Sequence, residues 1–366
     1  MKDLERDRPL RIAVVGGGIS GLAAAHRLQE RSLETGRFIE LTLLEAGAHT
    51  GGTVRTYRRD RFLLEGGPDS FISEKPEAVR LAERMGISDR LIETNPLYRR
   101  SFIVRAGRLH AVPEGFQLLA PSRFWPFVTS GIFSWRGKAR MALDMLLPRR
   151  DAGGGGDGGE EDESLAQFVR RRLGREALER MAQPMVGGIY TADPERLSLR
   201  ATMPRFLEME REHRSLIRGM WRARRKLDAS RQAGTSGARY GLFLSFDEGM
   251  QALTDKLSER LPPRSIRLNS RIETLSHDRA TGFWRLSLTT GDAIECDAVC
   301  LALPAYAAAG LLSATDSQLA SELETIQYAS TATVNLAYRR ADVPHPLDGF
   351  GFVAPIVERH RTLACT

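Results

Sequence analysis

Three glycines spaced as G-x-G-x-x-G, at Gly16, Gly18 and Gly21, lie between an apolar, β-branched run (Leu10 to Val15) and a segment with helical apolar spacing (Ile19 to Leu28). A strand, a glycine turn and a helix in that order leave few folds open. Gly16 permits the tight turn, Gly18 lets backbone approach a diphosphate, and Gly21 allows the helix to pack close on the strand. The helix tip then offers an anion the free N–H groups around Ile19 and Ser20 and the positive end of the helix dipole. A second apolar run, Ile39 to Leu44, ends at Glu45, where a carboxylate can accept hydrogen bonds from both hydroxyls of an adenosine ribose. The interval is a crossover, so the two strands are parallel neighbours in a βαβ unit. An acid at Glu45 disfavours a phosphorylated ribose, which leaves NAD and FAD and makes NADP a poor candidate.

At 366 residues the chain exceeds the size at which one core usually stops growing, and two or more interpenetrating domains are expected. Its apolar (42%) and charged (27%) shares are those of a soluble globular protein, and no apolar run is long enough to span a bilayer. The opening MKDLERDRPLR lacks the apolar core of a signal peptide, so a cytoplasmic location is expected. Cys296, Cys300 and Cys365 are too few and too irregular for a disulfide framework or a zinc site, and no metal is expected. A net charge of +7 admits nucleic acid, an anionic membrane or a carboxylate-bearing ligand. Nucleic acid is the least favoured, because no zinc-finger spacing, basic zipper or RNA-binding signature accompanies the charge.

Further along, Pro76 to Met85 has the pattern of an amphipathic helix. From Phe102 to Pro148 the chain is dense in apolar and aromatic residues, among them Phe116, Leu118, Leu119, Phe124, Trp125, Phe127, Ile132, Phe133 and Trp135. Asp151 to Glu163, rich in glycine and acid, reads as a flexible surface insertion. Helical patterns follow over Leu165 to Met185 and Pro204 to Leu227. The second carries a run of arginines that suits a solvated face. Beyond Tyr240, strands are expected at Leu242 to Phe246, Ile266 to Leu275, Trp284 to Leu288, Ala298 to Leu303 and Thr331 to Tyr338, with a helix at Met250 to Arg260.

After Glu45 come His49 and Gly51-Gly52-Thr53-Val54-Arg55-Thr56, then Glu65-Gly66-Gly67-Pro68-Asp69-Ser70-Phe71. Later stand Gly188-Ile189-Tyr190-Thr191-Ala192-Asp193, Glu210-Arg211-Glu212-His213-Arg214-Ser215-Leu216-Ile217 and Gly349-Phe350-Gly351-Phe352. In this order the stretches resemble the protoporphyrinogen/coproporphyrinogen oxidase family within the flavin amine oxidase superfamily, over essentially the whole chain. His49 stands where that family usually has arginine. The resemblance implies an α/β fold: an FAD-binding Rossmann-like (doubly wound) domain, a discontinuous α+β substrate domain and a helical membrane-associating or lid subdomain. The expected bodies are residues 1–95 (FAD-binding, first part), 96–230 (helical, with 151–163 as the insertion), 231–304 (FAD-binding continued, with substrate-domain strands) and 305–366 (substrate domain). Family members continue past the equivalent of Thr366 with a glycine-containing segment that contacts FAD. By this resemblance the chain lacks that segment.

The resemblance implies FAD as cofactor, held at Gly16, Gly18, Ile19, Ser20, Gly21, Glu45, Ala46, Gly52, Thr53, Gly67, Pro68, Asp69, Ser70 and Ile272. The implied reaction takes a porphyrinogen (protoporphyrinogen IX or coproporphyrinogen III) to the porphyrin in haem biosynthesis, with hydride passing to flavin, oxygen as acceptor and peroxide released. For the substrate it points to Arg100, beside Arg99, and to Gly188, Val334 and Leu336. Surface charge, a turn glycine and core packing are the plainer roles of these four. No general base is named, because the cofactor carries the difficult step. His213 on its basic helix is read as a structural residue. The Phe102 to Pro148 region is either the core of a helical subdomain or a patch dipping into the cytoplasmic leaflet, with the Arg211 to Lys226 helix as headgroup or product partner. A homodimer is among the assemblies the resemblance allows. The alternatives are another flavin amine oxidase superfamily enzyme, such as an amine oxidase or carotenoid desaturase, or a flavoprotein-like fragment without activity.

Overall fold

A computed structural model describes residues 8–73, 75–98, 100–113, 116–117, 120–121, 123–149, 162–190, 192–232 and 243–366. The chain divides into two units, Met1–Glu93 with Tyr240–Leu336, and Thr94–Arg239 with Ala337–Thr366. Leu118, Leu119, Arg99, Thr191, Leu242 at the start of the next expected strand and 151–161 of the expected insertion lie outside the described residues.

The first unit is built on a four-stranded parallel sheet in the order Ile266–Arg267, Ile39–Leu44, Leu10–Val15, Ala298–Leu301. Alternation along its strands separates two cores. Ile12, Val14, Leu41 and Leu43 belong to a cluster with Leu22 and Ala25 of the first helix (Ile19–Thr35), Ala82 and Met85 of Glu77–Met85, and Leu253 and Leu257 of Gln251–Arg260. Ala13, Val15 and Leu44 face the other way, with Leu275 and Leu286 of an antiparallel meander and with Ala309, Leu312 and Ala320 of two short helices. The meander consists of Ile272–His277, Trp284–Leu288 and Ala293–Cys296. The unit is therefore a layered α/β fold whose parallel strands point their C-terminal ends at the glycine turn.

Several expected elements divide differently. The Ile266 to Leu275 stretch splits at Asn269, which has a positive φ of 53°: Ile266–Arg267 joins the parallel sheet and Ile272–His277 the meander. Thr331 to Tyr338, expected as a strand, has no sheet partner among the described residues and is exposed throughout. A strand exists only through its ladder, and β-rich composition does not supply one. The boundary expected at 305 falls instead after Leu336. The helices Ala305–Leu312 and Ser317–Glu324 supply the meander-side core and so group with the first unit.

The second unit has a mixed sheet in the order Ala364–Cys365, Gly351–Val353, Ser101–Arg105, Arg108–Ala111, with Gly351–Val353 parallel to Ser101–Arg105. Around it lie helices whose core contains Ile103, Phe127, Ile132, Phe133, Met141, Phe168, Val186 and Phe206. The Leu165 to Met185 pattern breaks at Gly174 (φ 94°) after Leu165–Arg172, then resumes through a π-helical turn, Leu178–Ala182, into Gln183–Tyr190. The Pro204 to Leu227 pattern breaks at Arg214 (φ 58°) into Pro204–His213 and Leu216–Gln232. Glu163, expected in a flexible insertion, is buried: its carboxylate receives Arg171, and Ser164 after it caps the next helix in a capping box with Gln167. Among the described residues no helix is long and apolar enough to cross a membrane.

Candidate dinucleotide-binding site

The glycine turn follows strand Leu10–Val15 with Gly16 at φ 105°, a conformation that side-chain-bearing residues rarely adopt. A Cβ on Gly21 would collide with the carbonyl oxygen of Gly16. Helix and strand approach as closely as the fingerprint requires. At Gly18, by contrast, a Cβ would meet nothing within 4 Å, so the backbone there borders open space. Gly18 is also the N-cap of the first helix, no side chain caps it, and Ser20 in the first turn is exposed. A 17-residue helix with an uncapped tip beside bare backbone is a ready receptor for a diphosphate.

Glu45 is fixed by the same turn. Its Oε2 accepts the Gly17 N–H at 2.6 Å and its Oε1 accepts the Gly47 N–H at 2.7 Å. Each oxygen keeps a further lone pair, so the carboxylate is oriented and can still receive two hydroxyls. Gly17 and Gly47 do not stand out in the sequence. Only the donor role of their amides, visible once the chain is folded, marks them.

The second glycine pair closes on the first. Gly51 donates its N–H to the Gly17 carbonyl at 2.8 Å, and a Cβ on Gly52 would lie 3.2 Å from Gly18 Cα. Gly67 abuts Thr53, whose carbonyl oxygen occupies the place of any Cβ, and Gly66 donates to Arg55 O at 2.7 Å. Glu65 anchors this crossing through Thr56 Oγ1 (2.7 Å) and the Met250 N–H (2.8 Å). The Asp69 carbonyl accepts Ser245 Oγ at 2.7 Å, and Ser70 Oγ donates to Asp69 Oδ1. On the other flank, Ser270 N donates to Glu45 O and Asn269 N to Gly47 O, which holds the turn leading to Ile272 against Glu45, Ala46 and Gly47. All fourteen candidate cofactor residues, from Gly16 to Ser70 and Ile272, lie in the first unit.

The substrate candidates are dispersed. Arg100 is exposed and pairs with Asp348 at 3.0 Å, while its carbonyl accepts Phe350 N. Gly188 lies in the helix Gln183–Tyr190 of the second unit. Val334 and Leu336 end the first unit at 72% and 70% exposure, so neither belongs to its core. In the second unit the Glu210 to Ile217 stretch forms a charged junction: Arg171 is held by both Glu163 and Glu210, and Ser215 Oγ donates to Asp144 at 2.6 Å. His213 contacts Arg222 at 3.1 Å through Nδ1. In Gly349 to Phe352 the glycines serve packing. A Cβ on Gly349 would strike the Phe102 ring, and one on Gly351 would strike Cys365 O.

A parallel sheet that ends at a glycine cradle and an oriented acid defines a dinucleotide-binding protein. The chain belongs to the flavin containing amine oxidoreductase family, whose description matches residues 19–364. It is 34% identical over 355 residues to coproporphyrinogen III oxidase of Bacillus subtilis (strain 168), covering 97% of this chain and 72% of that one. It is 36% identical over 352 residues to coproporphyrinogen III oxidase of Propionibacterium freudenreichii subsp. freudenreichii, covering 89% of this chain and 63% of that one. The chain thus spans between 63% and 72% of the length of these relatives. Among solved structures it resembles one from Exiguobacterium sp. 255-15, provisionally named a protoporphyrinogen oxidase: TM-score 0.77, 30% identity, 98% of this chain and 73% of that one. Putrescine oxidase shares the fold at a TM-score of 0.53 and 18% identity. Membership in this family brings a flavin cofactor.

Proposed function

We propose that this chain is an FAD-dependent oxidase that converts a porphyrinogen to the porphyrin. The observation that carries the reading is the similarity, at 34% and 36% identity over 97% and 89% of this chain, to two coproporphyrinogen III oxidases. It is supported by a cradle whose free backbone and carboxylate suit the adenosine and diphosphate of FAD. Flavin, when bound, would supply the hydride acceptor. The chain's own residues bind and orient. The Ile19 and Ser20 amides would meet the diphosphate, Gly18 and Gly52 would leave room for it, Glu45 and Ala46 would take the ribose, and Ile272 would serve the adenine. Thr53 and Gly67 to Ser70 would offer small groups and backbone to the flavin. Coproporphyrinogen III is the first substrate to test, since the relatives of that name are 30–36% identical and those named protoporphyrinogen oxidase 25–30%.

The carboxylate arms of such a substrate call for cations and its macrocycle for apolar walls. Arg100 is the candidate for the first role, and Gly188, Val334 and Leu336 for the second. The exposed aromatics Phe124, Trp125 and Trp135 suit peripheral attachment to a membrane surface. The test is to saturate the purified chain with FAD and supply coproporphyrinogen III, protoporphyrinogen IX, amines and phytoene in separate assays. Porphyrin fluorescence with matching peroxide release supports the reading, and turnover of amines or phytoene alone overturns it.

A further inference from the structure

The helix that presents the cradle also buries a titratable group. Ile19–Thr35 turns Gly21, Leu22, Ala25 and His26 inward, and His26 is only 8% exposed. Its Nδ1 is buried with no hydrogen-bond partner. The nearest acid, Glu30 one turn on, is 3.7 Å away, beyond hydrogen-bond range, and is itself taken by Arg27 at 3.0 Å. Cations face the imidazole from every neighbouring helix: Arg27 on its own, Arg84 on Glu77–Met85 and Arg260 on Gln251–Arg260. Burial is the main influence holding the imidazole pKa below its ordinary value. Glu30 opposes it, and Arg84, Arg260 and Arg27 reinforce it.

We propose that His26 is an acid-sensitive latch on the first helix. Neutral, it completes the packing of that helix in the cluster shared with Glu77–Met85 and Gln251–Arg260; protonated, it loosens the helix and the phosphate-facing tip, so that acidification releases a bound dinucleotide. The release step rests on the cofactor reading above. The sign follows from linkage. With the folded pKa depressed, the stabilisation is complete above the unfolded value near 6.5 and is lost as pH falls from there through the folded pKa, because the unfolded chain takes the proton first.

The test follows thermal unfolding of the whole chain between about pH 7.5 and pH 5, the range in which imidazoles titrate. Wild type is compared with His26→Gln and Arg260→Gln, and the histidine ring protons are titrated by NMR. A steep acid loss in wild type, a flatter one in His26→Gln, an intermediate one in Arg260→Gln and a His26 midpoint below 6.5 are expected. Equal slopes in wild type and His26→Gln, or a His26 midpoint at or above 6.5, overturn the latch. The NMR arm decides alone if His26→Gln does not fold. With FAD as probe, affinity is lost between about pH 7.5 and 5.5 in wild type and stays level in His26→Gln. Failure to bind FAD at pH 7.5 overturns the cofactor reading, and the unfolding and NMR arms still judge the latch.

Discussion

Arg172 and Asp144 form an ion pair with no solvent exposure on either side chain, Arg172 Nε donating to Asp144 Oδ1 at 2.7 Å. The remaining donors are also used: Nη2 gives hydrogen bonds to Asp144 O (2.8 Å) and Arg214 O (2.6 Å), and Nη1 gives one to Pro148 O (2.9 Å). Asp144 Oδ2 accepts from Ser215 Oγ and Ile217 N. The pair thus ties helix Leu165–Arg172 to the joint where Pro204–His213 gives way to Leu216–Gln232. It also gives the Glu210 to Ile217 motif a physical reason, since Arg214 at positive φ turns its carbonyl onto the guanidinium.

Removing one partner strands the other. Arg172→Met leaves a buried, unpaired carboxylate and should destabilise the second unit by about 3–5 kcal/mol. Arg172→Met combined with Asp144→Leu should cost less than the sum of the two single changes. Urea midpoints of the three variants measure this, and a loss under about 1 kcal/mol in Arg172→Met would remove the network from any structural role.

Two glycines of one motif should fail differently. Gly21→Ala forces a methyl group into the Gly16 carbonyl and should lower stability by about 1–3 kcal/mol whether or not flavin is supplied. Gly18→Ala meets open space, so the unfolding midpoint should stay within about 0.5 kcal/mol of wild type while the methyl group occupies the diphosphate path. Loss of FAD affinity by about tenfold or more in Gly18→Ala, with normal apoprotein stability, is the expected pattern. Equal FAD affinity in Gly18→Ala and wild type would place the diphosphate elsewhere.

The strand, glycine turn, helix and acid of the cradle were legible because they are local. Gly16, Gly18, Gly21 and Glu45 fall within one strand-helix-strand passage, where chain geometry dictates the fold. What escaped depends on partners distant in sequence. Asp144 and Arg172 look like ordinary charges until the helices meet, and Glu163 reads as part of a glycine-acid tract until Arg171 reaches it. The Thr331 to Tyr338 stretch shows the reverse error, since its alternating apolar residues satisfy the pattern of a strand that finds no ladder among the described residues. Arg214 and Gly174 break helices whose periodicity continues across them, because a left-handed residue changes direction without changing composition.

Asp297 gives an acid dependence at the edge of the parallel sheet. Arg8 holds its carboxyl below the usual carboxylate range, opposed by partial burial and aided by the Arg11 N–H, which donates at 2.8 Å. A depressed folded pKa stabilises above the unfolded value and loses that contribution as pH falls through the folded one. Below about pH 4 the wild type should therefore lose a small advantage over Arg8→Ala, about 0.5 kcal/mol because the Arg8 side chain is nearly half exposed. Parallel unfolding curves at pH 3 and pH 6 measure it, and an equal gap at both values would detach Asp297 from acid stability.

The aromatic tract after Phe102 divides into a buried and an exposed set. Phe127, Ile132 and Phe133 are buried in the second core, whereas Trp125 and Trp135 are each 72% exposed and Phe124 is 57% exposed. Trp135 lies under the Lys138 ammonium at 4.4 Å, and that buried ammonium donates to Val128 O at 2.6 Å. Changing both tryptophans to serine should shift stability by no more than about 0.5 kcal/mol, since exposed side chains lose little on truncation. Phe133→Ala, which opens a cavity, should cost about 3–5 kcal/mol. If the exposed ring face binds lipid, the double serine variant should also lose sedimentation with anionic vesicles while keeping its circular dichroism. Unchanged sedimentation would leave these tryptophans without a membrane role and separate attachment from the folding of the unit that carries them.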